Sequence, residues 1–292
     1  MVDRTDLAQR FDADRRHLKS VAFHLLGSAP DAEDAVQSAW LKASRADAAG
    51  QPIENLTGWF TTITAREALD QLRARKRRPE RPLTDADAER FAAPAADDDA
   101  LLADSVSRAL LVVSERLSPA QRVAFVLHDV FAVPFETIGD LLDRSPAAAK
   151  KLASRARERV RPVATARTGR TAEHVKLVEA FLAASRGGDI DTLLRLLAPD
   201  AVRRVDRTVV PETVSAEVRG AHQIAEETRT FAQRAAAGAV VLIDGAPGVA
   251  IAAAGRLQIL LRIEFGPDDL IHTIDITADP DRLRGATLTL PR

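Results

Sequence analysis

The chain has 292 residues, of which 46% are hydrophobic and 28% charged, enough for about two average domains with sizeable cores. It contains no cysteine, which excludes disulfide staples, thiolate zinc sites and cysteine nucleophiles together. A net charge of −1 hides a strong segregation: residues 1–78 carry +2, residues 79–107 carry −6, residues 108–170 carry +6 and residues 171–292 carry −3. Basic blocks of this kind favour a polyanionic partner.

From the N-terminus, Asp6, Arg10, Asp12, Asp14, Arg15, Arg16 and Lys19 break up any signal-peptide core. Leu7, Phe11, Leu18, Val21, Ala22 and Leu25 recur at helical spacing, and Gly27 stands where a C-cap belongs. A second helix opens at Ser28-Ala29-Pro30, with Asp31, Glu33 and Asp34 complementing its macrodipole, and continues through Trp40. After a loop over Asp47–Thr57, a third helix is predicted from Gly58 or Trp59 to about Arg78, where Pro79 stops it.

Residues 79–100 read as a low-complexity linker of Pro, Ala and Asp, and helices resume near Leu101. Ser118 caps a helix that begins at Pro119. A short helix, Phe135–Leu142, follows Pro134, and Ser145 caps a last helix from Pro146 to about Arg161.

Residues 172–292 change character. One amphipathic helix carries Val175, Leu177, Val178, Phe181 and Leu182, and apolar runs follow at 240–243, 249–254, 257–265 and 271–276. They predict an α+β unit closed by an antiparallel sheet. The most apolar stretch, Ala235–Leu261, is interrupted by Asp244, Pro247 and Arg256, so no membrane span is predicted and a cytoplasmic protein is the expectation.

Three constellations carry chemistry. The first is a helix-turn-helix at 135–161, whose second helix bears Lys150, Lys151, Arg155, Arg157, Arg159 and Arg161. Nine basic residues face one acid between Arg144 and Arg170, and Ala147–Ala149 keep the helix start slim enough for a major groove. The second is Gln71–Arg78, with five cations and no acid, on the helix that begins Trp59-Phe60. It suits a single strand, by phosphate neutralisation and stacking, but taken by itself it reads better as a solvated, dipole-compensating helix end with Trp59 in the core. The third is the acidic run Asp31–Asp34 with Gln37 and Trp40, which like-charge repulsion keeps from DNA and which reads as a protein-docking face or as simple helix-start charge.

In this order, the blocks resemble the extracytoplasmic-function sigma factors of bacteria, over about residues 5–165. The run Asp31-Ala-Glu-Asp34-Ala-Val-Gln37 with Trp40 is similar to region 2.2. Asn55-Leu-Thr-Gly-Trp59 through Arg66, followed by Leu69-Asp70 and Leu72-Arg73, is similar to regions 2.3–2.4. Leu117–Asp129 is similar to region 4.1, and Phe135–Arg157 to region 4.2.

The resemblance implies a multidomain fold: a helical region 2 over 1–78, an acidic flexible linker over 79–107, a region 4 helix-turn-helix over 108–165 and a further domain over 172–292. It implies that Asp31, Asp34, Gln37 and Trp40 meet core RNA polymerase at the clamp helices of its β′ subunit, and that region 4 meets the β flap. Asn55, Trp59, Arg66 and Arg73 are implied at the minus-ten element of promoter DNA, and Lys150, Lys151, Ser154, Arg155 and Arg157 at the minus-thirty-five groove. The acidic linker is implied in the polymerase's RNA exit path.

Residues 172–292 resemble the SnoaL-like cone that extends one group of these sigma factors. The resemblance rests on Val218-Arg219-Gly220-Ala221, Gly255-Arg256-Leu257 and the ending Asp279-Pro280-Asp281-Arg282-Leu283. Two features of that group are missing: the linker tryptophan (Arg81-Pro82-Leu83 stands without it) and a Gly-rich motif around Val205–Thr213. The extension is expected to regulate the sigma halves in cis through its tail, in which Pro280 sets an extended turn.

His222, Arg262, His272 and Asp275 are candidate pocket residues in the cone, which is a possible site for an unknown small ligand. Strand alternation puts Arg262 with Glu264 on one face, and Ile271, Thr273 and Asp275 together on another. These residues form no catalytic motif, and the chain shows no phosphate loop and no metal-spaced His pair, so no enzyme activity, metal or cofactor is expected. Two alternatives stand beside the sigma reading: a ligand-responsive helix-turn-helix regulator, and a protein with an enzymatic cone.

Overall fold

The computed structural model of the protein describes residues 4–47, 53, 55–77, 105–160, 169–206, 215–253 and 255–291. The acidic linker as far as residue 104, most of the Asp47–Thr57 loop, residues 161–168 and the 207–213 part of the Val205–Thr213 segment lie outside them. The chain divides into two compact units, residues 1–81 with 117–158, and residues 82–116 with 159–292.

The first unit opens with three long helices, α1 (Arg4–Leu26), α2 (Ala29–Asp47) and α3 (Leu56–Arg77). Gly27 adopts φ +68° and its N–H reaches the Phe23 carbonyl at 2.7 Å, ending α1 as glycine permits. The three helices meet on Phe11 of α1, 5.1 Å from the Trp40 ring and 4.9 Å from Phe60, with Leu18, Val36 and Leu69 buried around them. Packed aromatic pairs add about 0.5–1.5 kcal/mol each beyond their burial. Helix α3 starts earlier than predicted because Asn55 is an unforeseen cap: its side-chain oxygen accepts from the Gly58 N–H at 2.9 Å.

Three further helices complete this unit, and α4 (Ser105–Ser114) precedes them in the chain: α5 (Pro119–Asp129), α6 (Phe135–Leu142) and α7 (Pro146–Val160). Ser118 and Gln121 form the capping box that opens α5. The turn from α6 to α7 is tight. Asp143 sits in the left-handed region at φ +54°, and a Cβ on Gly139 would lie 2.7 Å from the Arg144 carbonyl oxygen. Helices α1 and α3 both pack against α5. Phe131, just past α5, presents its ring edge-on between His17 and His24 of α1, with centroids 5.6 and 5.5 Å away.

The second unit is α+β. It holds α4, then α8 (Gly169–Gly187), α9 (Ile190–Leu196), β1 (Leu197–Val205), β2 (Glu217–Arg219), α10 (Ala221–Thr230), α11 (Ala232–Ala236), β3 (Gly238–Ile243), β4 (Ala246–Ala253), β5 (Arg256–Phe265), β6 (Ile271–Thr277), α12 (Pro280–Gly285) and β7 (Leu288–Thr289). The sheet order is β2-β1-β6-β5-β4-β3-β7. The sheet is mixed rather than antiparallel, because β1 pairs with β6 in parallel.

Every residue of β3 is buried, so the strand is covered on both faces. Val240, Leu242, Val249 and Ile251 of β3 and β4 belong to the core beneath α8. The alternating Val241, Ile243 and Ala250 are equally buried and point to the opposite face, where α4 packs on β3 and β4. Glu115 accepts from the Leu257 N–H beside that contact.

Candidate functional site

On α2, Ala32, Ala35, Val36, Ala39 and Ala43 face the core, which leaves Asp34 and Gln37 exposed on one stripe. Leu41 extends this stripe by one more turn and is 54% exposed, the larger of two exposed big hydrophobic side chains among the described residues. Sequence reading passed over it, although an apolar residue seven positions after Asp34 on a polar stripe is a legible signal. Two of the predicted docking residues are committed elsewhere. Asp31 pairs with Arg75 of α3, and Trp40 is half-buried against Phe11.

On α3, Trp59, Arg66 and Arg73 stand seven apart and share a face, with Trp59 half-buried and both arginines exposed. Arg73 has only a 3.5 Å contact with Asp70, and Asn55 is occupied as the cap of the same helix.

Helix α7 presents Lys150, Lys151 and Arg155 to solvent, with Ser154 half-buried between them. Ser145 caps the helix, accepting from the Ala148 N–H at 3.2 Å. Ala149, Ala153, Ala156 and Val160 form its buried face. Arg157 departs from the predicted set: its Nε donates to Asp129 of α5 at 2.8 Å, so it braces α7 on α5.

The tail is a short helix, α12, not an extended turn. Pro280 occupies its first turn, and the Asp279 carboxylate caps it by accepting from the Arg282 N–H at 2.8 Å. Asp281 pairs with Arg284 at 2.5 Å, Arg282 with Asp206 at 2.8 Å, and Leu283 is buried. What reaches this tail is Arg116, which donates to the carbonyl oxygens of Leu283 and of Arg284, the latter at 3.2 Å. The Leu290 N–H donates to the Val160 carbonyl at 3.0 Å.

Asp244 joins the same edge, exchanging backbone and side-chain hydrogen bonds with Thr287 at 2.8 Å and pairing with Arg262 at 2.7 Å. Partial burial pushes its carboxyl up, but the Thr287 amide and the Arg262 guanidinium outweigh this and hold it below the usual carboxylate range.

A cavity of about 110 Å³ lies between the sheet and helices α8, α10 and α11. None of His222, Arg262, His272 or Asp275 lines it. His222 is exposed at the start of α10, His272 pairs with Asp268 at 3.0 Å, and Asp275 lies 3.9 Å from Arg204. Arg262 and Asp275 are cross-strand neighbours on the face opposite the cavity. The pairing slips between Glu264 and Phe265, so Ile271 turns to the core while Thr273 and Asp275 face out, and the predicted grouping of the three does not form. The polar groups at the cavity are instead Ser185, Arg203, Glu227, Thr228 and Arg234.

Comparison with known proteins identifies the family. Residues 11–78 match the Sigma-70 region 2 family, and residues 107–160 match Sigma-70, region 4. The chain is 40% identical over 235 residues to the ECF RNA polymerase sigma factor SigJ of Mycobacterium tuberculosis, covering 77% of this chain and 72% of that protein. The crystal structure of SigJ aligns over 95% of this chain and 98% of its own, at 29% identity and a TM-score of 0.41. A SnoaL-like protein of unknown function from Burkholderia thailandensis aligns over 37% of this chain and 94% of its own, at 22% identity and a TM-score of 0.28. Among the described residues, no helix is long and apolar enough to cross a membrane. The chain belongs to the extracytoplasmic-function sigma factors, initiation factors rather than enzymes, which bind core RNA polymerase and direct it to promoter DNA.

Proposed function

We propose that this sigma factor divides its work among three surfaces and is governed in cis by its C-terminal unit. The stripe Asp34, Gln37 and Leu41 on α2 docks on the clamp helices of the β′ subunit, and region 4 meets the β flap. Trp59, Arg66 and Arg73 on α3 engage the minus-ten element, where an aromatic face and two exposed cations suit an opened strand. Lys150, Lys151, Ser154 and Arg155 on α7 meet the minus-thirty-five major groove. Asp31 and Arg157 serve the fold that carries these surfaces.

One observation carries the regulatory part. The region 4 match runs from 107 to 160, yet its first helix, α4, and Val160 at its end belong to the C-terminal unit, where α4 covers β3 and β4. Arg116, at the end of that docked segment, holds the tail carbonyls. The contact is built to release. Arg108 of α4 has a buried Nε without a hydrogen-bond partner, and it opposes Arg186 of α8, whose pKa is lowered to about 10 by burial first and by Arg108 second. Like charge set against apolar burial keeps docking reversible.

The test is run-off transcription by core polymerase with the wild-type protein and with Arg116→Ala. Loss of the tail contact is expected to change the rate several-fold, most readily upward, at an unchanged promoter choice. An unchanged rate from a well-folded variant removes the regulatory reading. A variant that no longer assembles with core polymerase removes the assignment of Arg116 to regulation.

A further inference from the structure

We propose that the cavity under β4 is a binding site for a small, uncharged, mostly hydrocarbon molecule, and that its occupancy is felt by α4 through the strand between them. The size fits this class: about 110 Å³ is of the same order as the ~150 Å³ engineered cavity that stays dry and takes up benzene. Phe181, Leu182, Ile224, Phe231, Ile251 and Ile274 supply most of the wall, so a hydrocarbon gains dispersion contacts that the unfilled space forgoes.

Charge is excluded by what the polar groups already do. Arg203, only 5% exposed, donates to both oxygens of Glu227 and, through Nη1, to the Ser215 carbonyl at 3.0 Å. Arg234 lies over the Phe231 ring, 5.3 Å from its centroid. Ser185 and Thr228 spend their hydroxyl protons on the Phe181 and Ile224 carbonyls, each at 2.7 Å. A carboxylate or ammonium would lose its hydration and find each opposite charge already paired. Hydroxyl lone pairs remain, so one N–H or O–H on the ligand is accommodated.

The link to α4 is a matter of one residue. Val249 and Ile251 touch the cavity, and Ala250 between them points to the face that α4 covers. A close-packed strand one residue thick transmits small displacements from face to face. This second half rests on the regulatory reading of α4, whereas the binding half does not.

The experiment uses the full chain with toluene, benzoate and benzylammonium, which share one ring and differ in charge. Calorimetric titration and thermal melting read binding, and hydrogen exchange of the 105–114 amides reads transmission, all without polymerase or DNA. Toluene is expected to bind saturably and to raise the melting temperature by about 1–3 °C, with no effect from the two ions. Ile251→Phe, which fills the cavity, is expected to abolish the toluene shift; Ala235→Val is the milder filling variant if the first fails to fold. Exchange in α4 is expected to change several-fold with toluene. No saturable toluene signal, equal binding of benzoate, or a toluene signal that survives a folded filling variant overturns the site. Binding with unchanged exchange in α4 overturns the transmission. Failure of the sigma factor in transcription touches neither binding result.

Discussion

Arg116 and Leu283 lie 167 positions apart in sequence, and the guanidinium of the first donates to the main-chain oxygen of the second. A guanidinium held by backbone carbonyls recognises the shape of the tail rather than its side chains. Substitutions within Asp279–Leu283 therefore act on this contact through the geometry of α12.

Acidification is expected to loosen the tail at its other anchor. Asp244 has a folded pKa below its unfolded value, so its stabilising contribution is complete above the unfolded carboxylate range and is lost as pH falls through the folded pKa. Amide exchange at Thr287, whose N–H bonds to the Asp244 carboxylate, is expected to accelerate relative to the β5 core as pH is lowered through that range. Asp244→Asn is expected to remove this pH dependence. Exchange at Thr287 that tracks the intrinsic rate alone contradicts the assignment.

The docking role proposed for α2 and its folding role can be separated by substitution. Asp34→Arg combined with Gln37→Ala is expected to abolish holoenzyme assembly in a gel-filtration assay with core polymerase, with the circular dichroism of the helices unchanged. Asp31→Asn does the reverse: it breaks the pair with Arg75, costs about 0.2–1 kcal/mol of stability and leaves assembly intact. Normal assembly by the double variant removes the docking face.

On promoter DNA, Arg155→Ala is expected to weaken holoenzyme binding by about 1–3 kcal/mol if the side chain reads a base edge. A double-mutant cycle with a minus-thirty-five substitution then shows coupling, and full additivity refutes direct readout by Arg155. Arg157→Ala is expected to act through the Asp129 brace, destabilising α7 more than it alters promoter preference.

The turn of the helix-turn-helix has its own test. Gly139→Ala forces a Cβ to within 2.7 Å of the Arg144 carbonyl oxygen, backbone that cannot swing aside cheaply. A loss of about 1–3 kcal/mol is expected in denaturant unfolding, with promoter binding falling in step. A neutral result means the turn relaxes without cost.

Sequence made legible whatever local chemistry dictates. The Ser118 cap, the limits of α6 and the basic exposed side of α7 each follow from a few adjacent residues. Partners distant in the chain left no such trace. Nothing near Arg157 announces Asp129, and nothing in residues 105–116 announces a sheet assembled from residues 238–253. The pairing slip at Glu264 defeated strand alternation because a bulge is a property of two strands. The tail was misread for a local reason: Asp279-Pro280 opens a helix as readily as a turn, and Leu283 docking in the C-terminal unit settled which.

The order of these elements along the chain has a consequence for the newly made protein. At roughly 5–20 residues per second, about 8–33 s of synthesis separate Arg116 from Leu283. During that interval α2 and α3 are already complete and α7 is added, while the strands that pack on α4 are still to be made. On the proposed regulatory reading, each nascent molecule thus passes through a period in which the exposed faces of α2, α3 and α7 exist before the tail that would restrain them.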